Sequence, residues 1–277
     1  MLITIVRHGQ SVDNTKRRWS GITDCALTTL GFSQAEAAGK WLCNDKFTHI
    51  FSSDLQRARV TCEQIVKFHL FDGVAFHDEK VIDTDNSYLD FIQHREFLRE
   101  QHFGSLEGKE YNLPEVRSHT SKLHDPTLTE AEKRNIKFPG PEGESRQDVL
   151  LRAELAWTSI LKDLNTLKPL NSQCETHILI ASHGAYIREL ITAIANHPTT
   201  WCDTESLDSI RHIQTHNTGI WRLHLSSETP LRVLLKNSVE HLDAPVFTFV
   251  TTPSLSKVPY DPNQSNLNQY FQNQRKI

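Results

Sequence analysis

The sequence predicts an α/β fold in which helices cover both faces of a mostly parallel central sheet. Three observations carry this. Short apolar runs alternate with segments of helical spacing. The element order, strand and helix repeated and then two closing strands, is that of a sheet joined by crossovers. Three of the strand ends also release basic side chains, and in open α/β sheets reactive groups gather beyond the carboxyl ends of the strands.

Taken in order, Leu2 to Val6 (LITIV) reads as a buried first strand that runs into Arg7 and His8. Leu30 to Cys43 (LGFSQAEAAGKWLC) has helical spacing and alanine-rich filling. His49 to Phe51 is a short second strand, Ser53 is placed to cap the next helix, and Leu55, Val60, Ile65 and Val66 are expected on that helix's buried face. Residues 81–100 are polar and irregular and read as a surface excursion that returns at FLRE. After the turn-rich PGPEG, Glu144 to Leu164 forms a long helix. Thr176 to Ala181 is an apolar strand followed by a helix in SHGAYIRELITAIA, and Gly219 to Leu225 and Leu231 to Leu235 close the sheet. From Pro253 the composition turns to Ser, Pro, Asn and Gln. Residues 1–252 are therefore expected to form one domain and residues 253–277 a disordered polar tail. No internal repeat is seen.

Composition narrows the functions. With 277 residues, 38% of them hydrophobic and 23% charged, the chain can bury a sizeable core. The net charge of −4 and the mixing of its charges exclude a surface built for nucleic acid or an anionic membrane, so any phosphate must be bound locally. No apolar run approaches the roughly 18 residues of a membrane span, and the first residues do not read as a signal segment. Cys25, Cys43, Cys62, Cys174 and Cys202 are odd in number and lack CxxC spacing, which fits reduced thiols in the cytoplasm, with the nucleus as a further compartment, better than disulfides or zinc. His212 and His216 stand four apart, but no carboxylate or cysteine is placed to complete a metal site, and no metal is expected.

Arg7 and His8 follow the first strand, Arg57 lies one turn into the helix after the second, and His183 follows the late strand. Each alone is weak: a histidine after a strand is most often structural, and a lone helical arginine is most often solvated. Their joint setting is not weak: RHGxS, SSDLxRA, LREQHFGSLEG, PEGES and SHGAYIREL occur in that order. In that set the chain resembles the histidine phosphatase superfamily, also called phosphoglycerate-mutase-like, over about residues 2–240. The phrases KFTHIFSSDL, SHGAYIREL and HNTGIWRL resemble its TIGAR-like fructose-2,6-bisphosphatase branch. The resemblance implies a three-layer α/β/α sandwich that removes a phosphoryl group through a phosphohistidine, without metal or cofactor.

The residues suit that chemistry. Phosphoryl transfer needs positioning and positive charge around the equatorial oxygens, and the guanidinium forks of Arg7 and Arg57 supply both. The family makes His8 the nucleophile; neighbouring arginines favour its neutral, attacking form. His183, ahead of a helix N-terminus, is expected to donate to the transferring group. Glu100 occupies the position of the family's general acid, and a bound phosphate dianion favours its protonated form. The other carboxylates nearby, Glu96, Glu107 and Glu110, sit out of register. Asn14, Gln10 and Ser11 are candidates for the same phosphate, as is Gly184 beside His183, and Gly21 would let its loop approach a substrate closely. Trp19 and Ile22 read as local packing. Glu144 and Ser145 either touch substrate or cap the helix.

The family's mutases carry an ERHYG-type run where this chain reads REQHFG, which makes mutase activity the poorer reading. Arg17, Arg18, Lys109, Lys137 and Arg146 are the basic residues available for a second phosphate. The expected substrate is a small phosphorylated metabolite, most simply a sugar bisphosphate such as fructose-2,6-bisphosphate. The competing readings are a broad phosphomonoesterase, a protein phosphatase, and a non-catalytic interaction subunit on the same fold. In the tail, Gln264, Leu267, Tyr270 and Phe271 have the Q-x-x-L-x-x-Y-F spacing of peptides that dock on the DNA sliding clamp, an expectation separate from the site.

Overall fold

The computed structural model describes residues 1–69, 87–171, 173–200, 202 and 215–243. The expected domain limit at residue 252, the polar tail with its clamp-docking residues Gln264, Leu267, Tyr270 and Phe271, and His212 lie outside the described residues.

The chain opens with strand β1 (Leu2–Arg7), a short helix α1 (Val12–Thr15) and helix α2 (Thr29–Leu42). It continues through β2 (His49–Ser53), α3 (Gln56–Val66) and β3 (Ile92–Arg95). Helices α4 (Pro114–Leu123), α5 (Glu130–Arg134) and α6 (Arg146–Thr166) precede β4 (His177–Ser182) and α7 (Gly184–Asn196). Two further strands, β5 (Ile220–His224) and β6 (Arg232–Ser238), complete the sheet, whose order is β3-β2-β4-β1-β5-β6. β1 to β4 run parallel, and β5 and β6 join antiparallel.

The alternation of side chains along each strand sorts the core into two layers. Ile3, Ile5, Phe51, Ile178, Ile180 and Trp221 pack against α6 and α7, through residues such as Trp157, Ile187 and Leu190. Val6, Ile50, Leu179, Ala181 and Ile220 face the opposite way, onto Ala38 and Leu42 of α2 and Cys62, Ile65 and Val66 of α3. The result is the three-layer α/β/α sandwich. A third, smaller cluster of Phe103, Leu106, Val116 and Phe138, with Trp19 and Leu123 against it, lies under α4.

Three expectations are corrected. The excursion at residues 81–100 contains β3, which pairs with β2 from Ile50–Ile92 to Ser53–Arg95; only Ile92 of the strand is fully buried, so it gave no apolar run. Ser53 does not cap α3. The N-cap is Leu55, and Ser53 instead accepts the Leu55 N–H (3.3 Å). Val60 is half-buried; Arg57, Ala58, Thr61 and Cys62 join Ile65 and Val66 on the inner face, the i, i+3, i+4 and i+7 spacing of one helix side. Of the two readings for PEGES, Ser145 caps α6 in a reciprocal box with Asp148.

Close backbone contact fixes the loop after β1. A Cβ on Gly31 would sit 2.0 Å from the Gln10 carbonyl oxygen, and one on Gly9 would sit 2.2 Å from that of Gly31. Neither neighbour is a flexible side-chain end, so replacement must displace α2 from the loop. Gly31→Ala is expected to destabilise the protein by about 2 kcal/mol or more in urea unfolding; a loss under about 0.5 kcal/mol, the range of an indifferent surface change, would contradict this packing.

Candidate active site

Because β1 and β4 pair in parallel with Arg7 opposite Ser182, the next residues, His8 and His183, leave the sheet side by side. Their ring centroids are 5.2 Å apart. A cavity of about 450 Å³ opens over these strand ends, lined by Arg7, His8, Asn14, Arg57, Glu100 and Gly184 among others. His183 is fully buried directly beside His8. The structure brings Arg7, His8, Arg57 and Glu100 to one cavity, whereas His183 lies buried beside His8 and is not among the residues that line it.

His8 is only 3% exposed. Its Nδ1 lies 2.7 Å from the Gly9 carbonyl oxygen, an acceptor, so Nδ1 carries the hydrogen and Nε2 keeps the lone pair. His183 Nε2 lies 2.8 Å from the Ser53 hydroxyl, which can donate to it or accept from it. Its Nδ1 is buried with no hydrogen-bond partner among the described residues.

The arginines are fixed by carbonyls. Arg57, 1% exposed, donates to Gly21 (2.6 Å) and Thr23 (3.0 Å), and Arg7 donates to Thr215. Burial, then Arg7 and Arg57, hold His8 well below the usual histidine value of 6.5. Burial, then Arg57, His8 and Arg7, do the same to His183.

Glu100 reaches the pocket from the segment after β3. Its Oε1 accepts from the backbone N–H groups of Gln101 (2.9 Å) and Tyr186 (2.9 Å), and its Oε2 from that of Ala185 (3.2 Å). It thereby satisfies the start of α7, whose N-cap residue His183 makes no side-chain cap. Arg152 fastens this segment, donating to the carbonyls of Phe97, Arg99 and Glu100 and to the Glu144 carboxylate. Glu144 is thus an anchor for the Glu100 segment and does not line the pocket.

The secondary candidates divide. Asn14 lines the pocket, its Oδ1 accepting from the Ser11 N–H and the Asn217 amide (each 3.1 Å). Gly21 lines it too, at φ +55° with its carbonyl on Arg57; a Cβ there would sit 2.0 Å from Glu107 Oε1. Gly184 must leave room for the Arg7 guanidinium, which a Cβ would meet at 3.3 Å. Gln10 and Ser11 are corrections: neither lines the pocket. Gln10 Oε1 accepts from Thr28 (2.9 Å), and Ser11 caps α1. Of the basic candidates only Arg18 lines it. Lys109 pairs with Glu115, Lys137 with Asp148 and Arg146 with Glu189, while Arg17 borders a separate cleft. Trp19 packs on Phe103 and Phe138 and also forms pocket wall. Glu107 proves structural: it accepts the N–H groups of Ile22, Thr23 and Phe103 (3.0 Å each) and holds the Gly21 loop.

Sequence reasoning missed Ser20, Phe103, Tyr111, His124, Ala185, Arg188 and Thr215 in the wall. Of these, Ala185 and Arg188 lay inside SHGAYIREL and Phe103 inside LREQHFGSLEG, motifs already singled out.

The model of the histidine phosphatase superfamily, branch 1, matches residues 3–77 and 86–238. The chain belongs to that superfamily. It is 31% identical over 194 residues to the 2,3-bisphosphoglycerate-dependent phosphoglycerate mutase of Brucella anthropi, a match covering 69% of this chain and 80% of the relative. To the enzyme of that name from Methylorubrum extorquens it is 26% identical over 244 residues, covering 87% and 99%. Among solved structures, phosphoglycerate mutase from Bacillus anthracis shares the fold at a TM-score of 0.64 and 18% identity, covering 87% of this chain and 94% of that one. A mycobacterial glucosyl-3-phosphoglycerate phosphatase does so at 0.59 and 21%, covering 86% and 98%. This superfamily member thus stands among phosphatases and mutases.

The buried histidines set the acid response. Burial pushes His177, 5% exposed, and His241, 4% exposed, down to about 4. Between pH 4 and 6.5 the unfolded chain binds protons at these residues that the folded chain refuses, so stability rises with pH across that window and is lost as pH falls through it. Each histidine accounts for about 3 kcal/mol at most. The urea midpoint is expected to fall steadily from pH 7 to pH 4.5, and less steeply in His177→Gln; a flat profile would contradict burial of neutral imidazoles.

Proposed function

We propose that the protein is a phosphatase that removes a phosphoryl group from a small phosphorylated metabolite, best fitted by a sugar bisphosphate such as fructose-2,6-bisphosphate, through a phosphohistidine on His8. The observation that carries this is the His8 ring: neutral, with Nδ1–H tied to Gly9 and the Nε2 lone pair left for attack, beside two arginines.

The substrate phosphate sits against the guanidinium groups of Arg7 and Arg57, which draw charge from the equatorial oxygens, with the His183 imidazole behind His8 as a further polar group. The His8 Nε2 lone pair attacks phosphorus. As the N–P bond forms, the P–O bond to the alcohol breaks, and the departing oxygen takes a proton from Glu100 as general acid. Water then gives a proton to Glu100 and attacks the phosphohistidine. The N–P electron pair returns to Nε2, and inorganic phosphate leaves.

The run REQHFG, in place of the ERHYG-type run of mutases, supports hydrolysis. The names of the relatives from Brucella anthropi and Methylorubrum extorquens support a mutase as the second reading.

A panel of fructose-2,6-bisphosphate, fructose-1,6-bisphosphate, 2,3-bisphosphoglycerate, phosphopeptides and a chromogenic aryl phosphate, assayed with EDTA present, separates the readings. Hydrolysis by the wild type that falls by at least about 10³-fold in His8→Ala is expected. Glu100→Gln is expected to cost about 10²-fold on sugar phosphates and much less on the aryl ester, whose leaving oxygen needs no proton. Interconversion of phosphoglycerates without hydrolysis would make the protein a mutase. Inertness toward the whole panel and toward phosphoglycerates would leave a non-catalytic subunit.

A further inference from the structure

The turn into β5, residues 215–219, is bonded to the strand end that carries His8. The Thr215 carbonyl accepts from the Arg7 guanidinium, and the Gly219 carbonyl accepts the Arg7 N–H (3.3 Å). The His8 carbonyl accepts twice from the same turn, from the Thr218 N–H (3.3 Å) and from the side-chain amide of Asn217 (3.2 Å).

Asn217 does more than hold backbone. A carbonyl oxygen only accepts, so the Asn217 atom that faces it is Nδ2. The same NH2 group also donates to Asn14 Oδ1 (3.1 Å). That oxygen accepts the Ser11 N–H as well (3.1 Å), and a backbone N–H only donates, so the orientation of the Asn14 amide is settled from two sides. Its Nδ2 is left as the opposite end of the amide, with no hydrogen bond among the described residues, on a side chain that lines the pocket with Arg7 and His8.

The turn that delivers Asn217 is held firmly. Thr218 has φ +52°, a conformation that a β-branched residue keeps only where its surroundings enforce it. Its hydroxyl donates to the Asn217 carbonyl (2.8 Å) and lies 2.9 Å from Nε2 of the buried His241. From β6, Asn237 Oδ1 accepts the His216 N–H (2.9 Å), and a Cβ on Gly219 would come within 2.1 Å of that oxygen.

We infer that Asn217 is a positioning residue for phosphoryl transfer: its NH2 group ties the nucleophile's carbonyl to the Asn14 amide and so turns the Asn14 N–H bonds onto the phosphoryl group at His8. Without it the Asn14 amide keeps only the Ser11 N–H and is free to turn its oxygen toward the phosphate, which repels it. The inference rests on the phosphatase reading for the step it serves, but not for the orientation of Asn14 toward a bound phosphate.

Asn217→Ala and Asn217→Asp test it in the full chain, each alone and combined with Asn14→Ala. N217A is expected to lower kcat/KM for the aryl phosphate by about 10- to 100-fold, the range of one hydrogen bond to a charged group. N217D is expected to lose at least as much, because its carboxylate matches Asn in size but sets acceptors against two acceptors. Combined with N14A, the further loss from N217A is expected to shrink to under about threefold, since the side chain it orients is gone. If N217A does not fold, N217D carries the same cycle. Calorimetry with inorganic phosphate needs no turnover: affinity is expected to fall at least about fivefold in N217A alone, and under about twofold when N217A is added to N14A. The same loss with and without N14A, no loss in folded N217A, or wild-type behaviour in N217D would overturn the inference. A wild type inert in hydrolysis that shows this coupling in phosphate binding would overturn only the phosphatase reading.

Discussion

The register between the two central strands is the constraint on which the site depends. β1 and β4 pair residue for residue from Leu2–His177 to Arg7–Ser182, and the His8 N–H continues the ladder onto the Ser182 carbonyl at 3.0 Å. Only in that register do two histidines 175 positions apart in sequence number meet at 5.2 Å. A slip of one residue would turn every side chain of β1 to the other face, exchanging the layer that packs on α6 and α7 for the one that packs on α2 and α3. The hydrophobic core therefore enforces the alignment of the chemistry.

Around that pair the protein concentrates positive charge where water is scarce. Arg57 is fully buried and tied to the carbonyls of Gly21 and Thr23, so the same guanidinium that raises the local potential also shapes the pocket loop. Glu107 holds the other side of that loop, and its carboxylate occupies the space that a Gly21 side chain would need. Glu100 serves both fold and site, since its hydrogen bonds satisfy the first turn of α7 while its carboxylate lines the cavity. Removing any of these groups would strand a buried polar partner, which is how a small set of residues comes to be fixed within one cavity.

The strands with strong apolar runs, β1, β2 and β4, were legible from the sequence, and with them the basic residues at their ends. β3 was not, because an edge strand reading IQHR buries one side chain and carries no periodicity. Gln10 and Ser11 were misplaced for a related reason: proximity in sequence to His8 says nothing of direction, and the turn at Gly9 sends both side chains to Thr28 and α1. Arg188 was invisible as a pocket residue until α7 had a face, because a helical arginine in sequence looks solvated. Tyr111 and His124 come from the segment between β3 and α6, whose packing rests on the small Phe103, Leu106, Val116 and Phe138 cluster and leaves no long pattern.

The account stands on nucleophilic attack by the His8 Nε2. Rapid acid-free quenching during turnover of a phosphorylated substrate, followed by peptide mass spectrometry, tests it most directly. The account predicts one added phosphoryl group on the peptide containing His8, formed and consumed at the rate of turnover. Turnover with no phosphorylated peptide, or with the phosphoryl group on another residue, would contradict it.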